Sequence, residues 1–438
     1  MIWSRYNHIV KSDKYGYFLY NAMSGVFLQI DEDDMDSFLY LQRNPDAFKE
    51  YANSNFLLES QIVLDEQTEE DNLNNHINEI LARRYNPSHM SLTIAVTRAC
   101  NFNCVYCYET NRPNIYMTKD VEDSIIEFVK QNECLRYLHI VWYGGEPLLN
   151  FDTIKRLTKE FQKLNVQYSA QIVTNGYLMT SEVSKLFVDL NIKTVQVTLD
   201  GSPEIHNKRR PLKNGEKTYE RILENTKSLL ANVPDVELYI RSNVDRDNID
   251  KYPDFYNEII GQLGKDSRIK PYEGFVNDVI ESGCSPTTKN IMDPNARVDY
   301  IIKHYCSAGI EHTFLPIRRN QTCIANNMYC YLIDPVGDMY KCWISMQNKK
   351  YKIGNVAKGA AFNSIMNSRY LCGSDYIFSS KCRKCDVMPI CEGGCPMVRY
   401  FNKYEKRGED MCITFKRESL RLLELFYEQQ LSSQLSHD

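Results

Sequence analysis

Three cysteines crowd one short segment, Thr97-Arg98-Ala99-Cys100-Asn101-Phe102-Asn103-Cys104-Val105-Tyr106-Cys107. Thiolates spaced C-x3-C-x2-C on a single loop can grip three irons of a 4Fe–4S cluster and leave the fourth iron open to a substrate or cofactor. The alternatives are plain buried thiols or three quarters of a zinc site, although zinc usually closes with four ligands. A second set runs Cys323, Cys330, Cys342, Cys382, Cys385, Cys391, Cys395 and Cys412, with Gly337 ahead of Cys342. Eight thiols match two fully ligated 4Fe–4S clusters; a pair of zinc knuckles is the competing reading. Cys134, Cys284, Cys306 and Cys372 fall outside every motif and read as core or surface thiols, with Cys306 the one rival ligand.

The whole chain supports metal chemistry over disulfides. Fifteen cysteines, an odd and clustered number, occur without an export signal, which points to a reducing, cytoplasmic setting. With 438 residues there is room for two or three domains. Hydrophobic residues at 43% and charged residues at 25% are ordinary globular values and exclude a largely disordered chain. A formal charge of −5 provides no basic field for nucleic acid. No apolar run reaches the roughly 18 residues that a membrane span requires.

The elements that must position these thiols follow from periodicity. From Ser91 onward, β-prone runs at 92–96, 138–142, 171–173, 194–199 and 237–242 alternate with helical stretches at 121–131, 153–164, 181–190 and 219–230. Such alternation predicts a parallel sheet with covering helices, and about six units suggest a partial barrel. Sites in these folds gather at the C-terminal strand ends. The cysteine loop follows the first strand, Gly144-Gly145-Glu146-Pro147 the second, Thr174-Asn175-Gly176 the third and Thr198-Leu199-Asp200-Gly201 the fourth. Arg241 and Asn243 end the fifth. Ahead of this region, runs at 15–20 and 26–30 around Asn21-Ala22-Met23-Ser24-Gly25 predict a β-hairpin, and three short helices follow, the last over 71–84. Asn86-Pro87-Ser88 reads as a linker.

The cysteine triplet, with Tyr106 before its last member, strongly resembles the signature of the radical S-adenosylmethionine (radical SAM) superfamily. The resemblance implies that the open iron chelates the amino and carboxylate groups of S-adenosylmethionine, whose cleavage by one electron yields a 5′-deoxyadenosyl radical. It places Tyr106 beside the adenine, Gly144, Gly145 and Glu146 at the amino group, and Thr198 near the ribose. Asn175, Arg241 and Asn243 are the further candidates for holding the cofactor. The eight later cysteines are similar to a SPASM domain, whose interleaving would assign Cys323, Cys330, Cys342 and Cys395 to one auxiliary cluster. Cys382, Cys385, Cys391 and Cys412 would hold the other. Anaerobic sulfatase maturases of this kind carry a basic aspartate directly after the third cysteine of the first auxiliary cluster. Here Trp343 stands there and cannot accept a proton.

The resulting expectation is an α/β protein with a winged-helix-like leader-peptide recognition domain over 1–85, a partial (β/α)6 radical SAM barrel over 90–280 and an iron–sulfur SPASM domain over 306–438. The expected activity is that of an oxidoreductase that crosslinks a ribosomally made precursor peptide through a carbon–carbon or thioether bond. It would use three 4Fe–4S clusters, S-adenosylmethionine, and a donor such as flavodoxin or ferredoxin, with no nucleic acid or membrane partner. A side-chain oxidase of the sulfatase-maturase kind, or an iron–sulfur redox module without S-adenosylmethionine chemistry, are the alternatives. The residues that act beyond the cofactor site, such as a catalytic base, are not legible at this level.

Overall fold

The computed structural model describes residues 1–107, 109, 113–276, 292, 294–308, 315–319, 323–358, 364–408, 412–413 and 415–435. Cys284 lies outside the described residues, as does the side chain of Cys306. The chain divides into two compact units. One comprises Met1–Tyr85, Pro294–Asn326 and Tyr370–Asp438; the other comprises Asn86–Asp293 and Asn327–Arg369.

In the second unit, the alternating pattern produces six strands: β1 (His89–Ala95), β2 (Tyr137–Tyr143), β3 (Gln167–Thr174), β4 (Ile192–Thr198), β5 (Glu237–Val244) and β6 (Ile269–Phe275). They pair in sequential order and all parallel, with Leu92 opposite Ile140, Ile140 opposite Ala170, and Ile240 opposite Val197. Runs rich in Val, Ile and Leu suit strands buried on both faces. Each parallel step needs a crossover, supplied by Lys119–Lys130, Phe151–Gln162, Ser181–Asp189, Tyr219–Asn232 and Tyr252–Leu263. In the fourth of these, Ile222, Leu223, Thr226 and Leu229 are buried, the stripe expected of an amphipathic helix laid on a sheet.

Two features of this unit escape sequence pattern. The strand β6 contains Pro271 and Gly274, which read as turn residues, yet it forms the sheet edge, where a proline disturbs the ladder least. At the other side, β7 (Cys330–Ile333) joins β1 in parallel, followed by the antiparallel β8 (Asp338–Tyr340) and β9 (Gly354–Asn355). A stretch of the cysteine-rich region therefore extends the same nine-stranded sheet.

In the first unit, the expected hairpin appears as Gly16–Asn21 against Phe27–Ile30, with Asn7–Ser12 added on the far side of Gly16–Asn21. Helices Glu32–Arg43, Ser54–Glu59 and Glu66–Arg84 follow. Asp65 caps the last by accepting from Thr68 N–H at 2.9 Å. This segment does not complete its core alone. Tyr6, Phe18, Tyr20, Leu73, Ile77 and Ile80 share one apolar cluster with Tyr376, Ile377, Val387, Met388, Ile390, Phe415 and Leu423. Buried Arg84 pairs with buried Asp375, which also accepts from Asn326 Nδ2 at 2.9 Å. Among the described residues no helix is long and apolar enough to cross a membrane.

Candidate active site

The loop after β1 is set by its own backbone and by two distant anchors. Val96 N–H donates to Tyr143 O at 3.1 Å, Asn103 N–H to Pro211 O at 2.9 Å and Val105 N–H to Arg209 O at 3.1 Å. Gly144 and Gly145 stand against this loop. A Cβ at Gly144 would lie 2.3 Å from Thr97 O, and one at Gly145 would lie 2.4 Å from Ala99 O. The missing side chains are thus required by the cysteine loop itself, since no larger residue allows that backbone approach.

The thiols of Cys100, Cys104 and Cys107 line one cavity of about 520 Å³. The same cavity is lined by Tyr106, Gly144, Gly145, Asn175, Thr198, Arg241 and Asn243, so it brings together ten of the residues singled out from sequence. Tyr106 is fixed at its hydroxyl, which accepts from Arg210 Nη1 at 2.6 Å and from Asn243 Nδ2 at 2.9 Å. Burial holds that phenol well above its ordinary range, so it stays protonated. Arg241 Nε donates to Asn243 Oδ1 at 2.9 Å, and Asn175 Nδ2 donates to Asn101 Oδ1 at 2.8 Å.

Glu146 is placed differently from the expectation. It does not line the cavity, and its side chain is 0% exposed. Its carboxylate accepts from Thr174 Oγ1 at 2.7 Å, Asn175 N–H at 2.7 Å and Leu148 N–H at 3.0 Å. Burial raises its pKa, and the three donors oppose that rise. In this geometry Glu146 ties the glycine turn after β2 to the end of β3.

Two charged residues join the site without having been legible in sequence. Arg210 lines the cavity at 7% exposure, and among the described residues its Nε has no hydrogen-bond partner. Glu109, two residues past Cys107, lines the cavity at 3% exposure. A salt-bridged trio is formed nearby in the chain: Arg209 reaches Asp245 at 3.0 Å and Asp200 at 3.5 Å, and Asp200 accepts from Asn243 N–H at 2.9 Å. Trp343 and Ile344 supply apolar lining, with the Trp343 ring edge-on to Tyr143 at 4.3 Å.

The donor set fits a thiolate-ligated cluster with an anionic or zwitterionic cofactor. Three thiols face one space, and among the described residues the buried Nε of Arg210 has no acceptor. Among the described residues no three His, Cys, Asp or Glu side chains gather closely enough to ligate a single metal ion; Cys100, Cys104 and Cys107 would instead hold a larger, four-iron group. Of the later cysteines, Cys323, Cys382, Cys385, Cys391, Cys395 and Cys412 belong to the first unit, and Cys330 and Cys342 to the second. Outside the motifs, Cys134 and Cys372 are exposed free thiols.

Residues 94–257 match the radical SAM superfamily. The chain is 23% identical to the radical SAM cyclopropyl synthase TigE of Paramaledivibacter caminithermalis, over 97% of this chain and 96% of that protein. It is 26% identical to the cysteine-type anaerobic sulfatase-maturating enzyme of Clostridium novyi, over 68% of this chain and 84% of that one. The solved structure of native anSMEcpe with bound AdoMet and Kp18Cys peptide shares the fold, with a TM-score of 0.63 at 18% identity over 79% of this chain and 99% of that chain. Sheet, cysteine loop and family match agree: this chain carries a radical SAM domain.

Proposed function

We propose that this chain is a radical SAM peptide maturase of the SPASM type, which takes a hydrogen atom from a ribosomally made precursor peptide and leaves it with an intramolecular carbon–carbon or thioether crosslink. The observation that carries the reading is one cavity in which three cysteine thiols meet polar residues from the ends of successive parallel strands. Its parallel strands are read as a partial (β/α)6 barrel. Bound there, a 4Fe–4S cluster with S-adenosylmethionine would supply hydrogen-atom abstraction.

The chain's own residues do the rest. Cys100, Cys104 and Cys107 would hold three irons. Tyr106, clamped by Arg210 and Asn243, presents a fixed ring edge for a flat base. Arg210 and Arg241 offer the positive charge that an amino-acid carboxylate calls for. Asn175 and Thr198 add hydrogen-bonding groups at the polar side of the cavity. Trp343 and Ile344 form an apolar wall that excludes water and offers no proton acceptor. That wall favours peptide crosslinking over a sulfatase-type oxidation dependent on a base at this position.

One crosslink removes two hydrogens from the peptide. One leaves as an atom; the other leaves as a proton and an electron, and the electron would pass to auxiliary clusters on the eight later cysteines. The SPASM resemblance assigns Cys323, Cys330, Cys342 and Cys395 to one and Cys382, Cys385, Cys391 and Cys412 to the other. A flavodoxin or ferredoxin would deliver the priming electron, in the cytoplasm. The hairpin and three helices of residues 1–85 are read as a winged-helix-like element that adds the leader as an edge strand. The Kp18Cys peptide bound in the anSMEcpe structure supports a peptide substrate.

The test is anaerobic reconstitution with iron and sulfide, then incubation with S-adenosylmethionine, dithionite and the peptide encoded beside this gene. Expected products are 5′-deoxyadenosine and a peptide lighter by two hydrogen atoms. Loaded clusters without 5′-deoxyadenosine would defeat the radical reading. Turnover of a sulfatase-derived peptide in place of the neighbouring one would return the chain to the sulfatase-maturating reading.

A further inference from the structure

The turn that carries Cys382 and Cys385 is met by two cations that the proposed chemistry does not use. Arg399 Nη1 donates to Cys382 Sγ at 3.5 Å, and Lys416 Nζ donates to Cys385 Sγ at 3.4 Å. The turn itself is closed by Cys385 N–H to Cys382 O at 3.0 Å. Cys391 lies within electrostatic reach of both Cys385 and Cys412, so the four thiols of this set belong to one neighbourhood of the first unit.

The guanidinium is aimed, not merely near. Arg399 rises from helix Pro396–Tyr400, donates through Nε to Ser374 O at 2.7 Å, and shares Nη1 with Gly393 O at 3.3 Å. Gly393 adopts φ +75°, and a Cβ there would sit 2.2 Å from the Tyr376 ring, so the turn that presents this carbonyl is open to glycine alone. Lys416 is exposed but follows Phe415, whose ring is buried in the shared core. Asp386 provides the opposing charge: its Oδ1 lies 3.5 Å from Cys385 Sγ.

We propose that Arg399 and Lys416 pair with the thiolates of a cluster held by Cys382, Cys385, Cys391 and Cys412, and that together they raise its reduction potential. This rests on the ligand assignment of the proposed function. Reduction adds one electron and one negative charge to the cluster, with no proton gained or lost. Donors carrying positive charge bind the more negative state better, and hydrogen bonds to sulfur and local charge are established determinants of such potentials. A cluster poised upward is an acceptor for the electron left by a crosslinked peptide.

The experiment is a redox titration of the reconstituted full chain against dithionite, followed by electron paramagnetic resonance, with iron content measured in parallel. Arg399→Gln should lower the reduced-to-oxidised ratio at fixed potential about tenfold, equivalent to ~59 mV for one electron. Lys416→Gln should lower it about threefold, and high salt should shrink that shift because the ammonium is exposed. Arg399→Lys should keep most of the wild-type potential, while Asp386→Asn should move it upward. That sign reversal is one that general loosening of the fold does not produce. Unchanged iron with all potentials unmoved, or with Arg399→Gln and Asp386→Asn shifting alike, would overturn the inference alone. Iron content unaffected by joint Cys382→Ala and Cys385→Ala replacement would overturn the ligand assignment, and this inference with it.

Discussion

Replacing Glu146 by Gln separates two roles that a carboxylate in this turn could have. The side chain is wholly buried and takes three donors: Leu148 N–H and Thr174 Oγ1 on one oxygen, Asn175 N–H on the other. A glutamine keeps one acceptor oxygen but turns an N–H2 toward a donor, so at least one buried N–H loses its partner. Leaving such a group unsatisfied costs about 1–3 kcal/mol. For a unit of some 250 residues each kcal/mol moves the midpoint by roughly 2–4 °C. The variant should therefore melt about 2–12 °C lower than wild type, measured by circular dichroism on matched reconstituted samples. Were Glu146 instead the partner of the cofactor's ammonium, the lost charge would cost ~10-fold or more in S-adenosylmethionine affinity while the melt barely moved. An unshifted melting point beside a tenfold weaker equilibrium binding constant would refute the positioning role.

Replacing Cys100, Cys104 and Cys107 together by Ala should abolish 5′-deoxyadenosine formation and lower iron from about twelve to about eight per chain; undiminished cleavage would sink the assignment of this loop. Stability should respond to acid with opposite signs in the two units. His76 is buried, has no hydrogen-bond partner among the described residues, and has its pKa lowered to about 4, chiefly by burial. The unfolded chain then takes up the proton first, and protection of Glu66–Arg84 should fall as pH drops from 6.5 toward 4. Asp334 is raised to about 6, again chiefly by burial, so the native state holds the extra proton. Protection around β7 and β8 should fall as pH rises from about 4 to about 6. Hydrogen exchange read by mass spectrometry checks both, and parallel responses would contradict the cited burial. Deleting residues 1–85 should unfold the cysteine-rich segment as well, because Tyr376, Val387, Met388 and Phe415 would lose half of their core. Leader recognition is better tested on the intact chain. A leaderless core peptide should be processed far more slowly than the full precursor, since tethering gives roughly millimolar effective concentration. Equal rates would refute it.

Much of the chemistry was legible in the sequence because it is local. Cys100, Cys104 and Cys107 sit on one loop, so no long-range knowledge is needed to see three thiols converge. The strands β1 to β5 and their intervening helices follow from side-chain periods that neighbours in the chain alone impose. The edge strand β6 was hidden by Pro271 and Gly274, whose local preference the sheet edge overrides. Other features arise only when distant residues meet. Sequence shows that Glu146 follows two glycines, but only the fold buries its carboxylate against Thr174 and Asn175. Arg210 enters the cavity because Asn103 and Val105 bond the backbone at Pro211 and Arg209. The N-terminal segment shares a core with residues some three hundred positions later. Arg399 and Lys416 reach the two cysteines of one turn from separate helices. Residue type and spacing are written along the chain, whereas the charge, burial and hydrogen bonding around those side chains come from contacts that exist only after packing brings remote segments together.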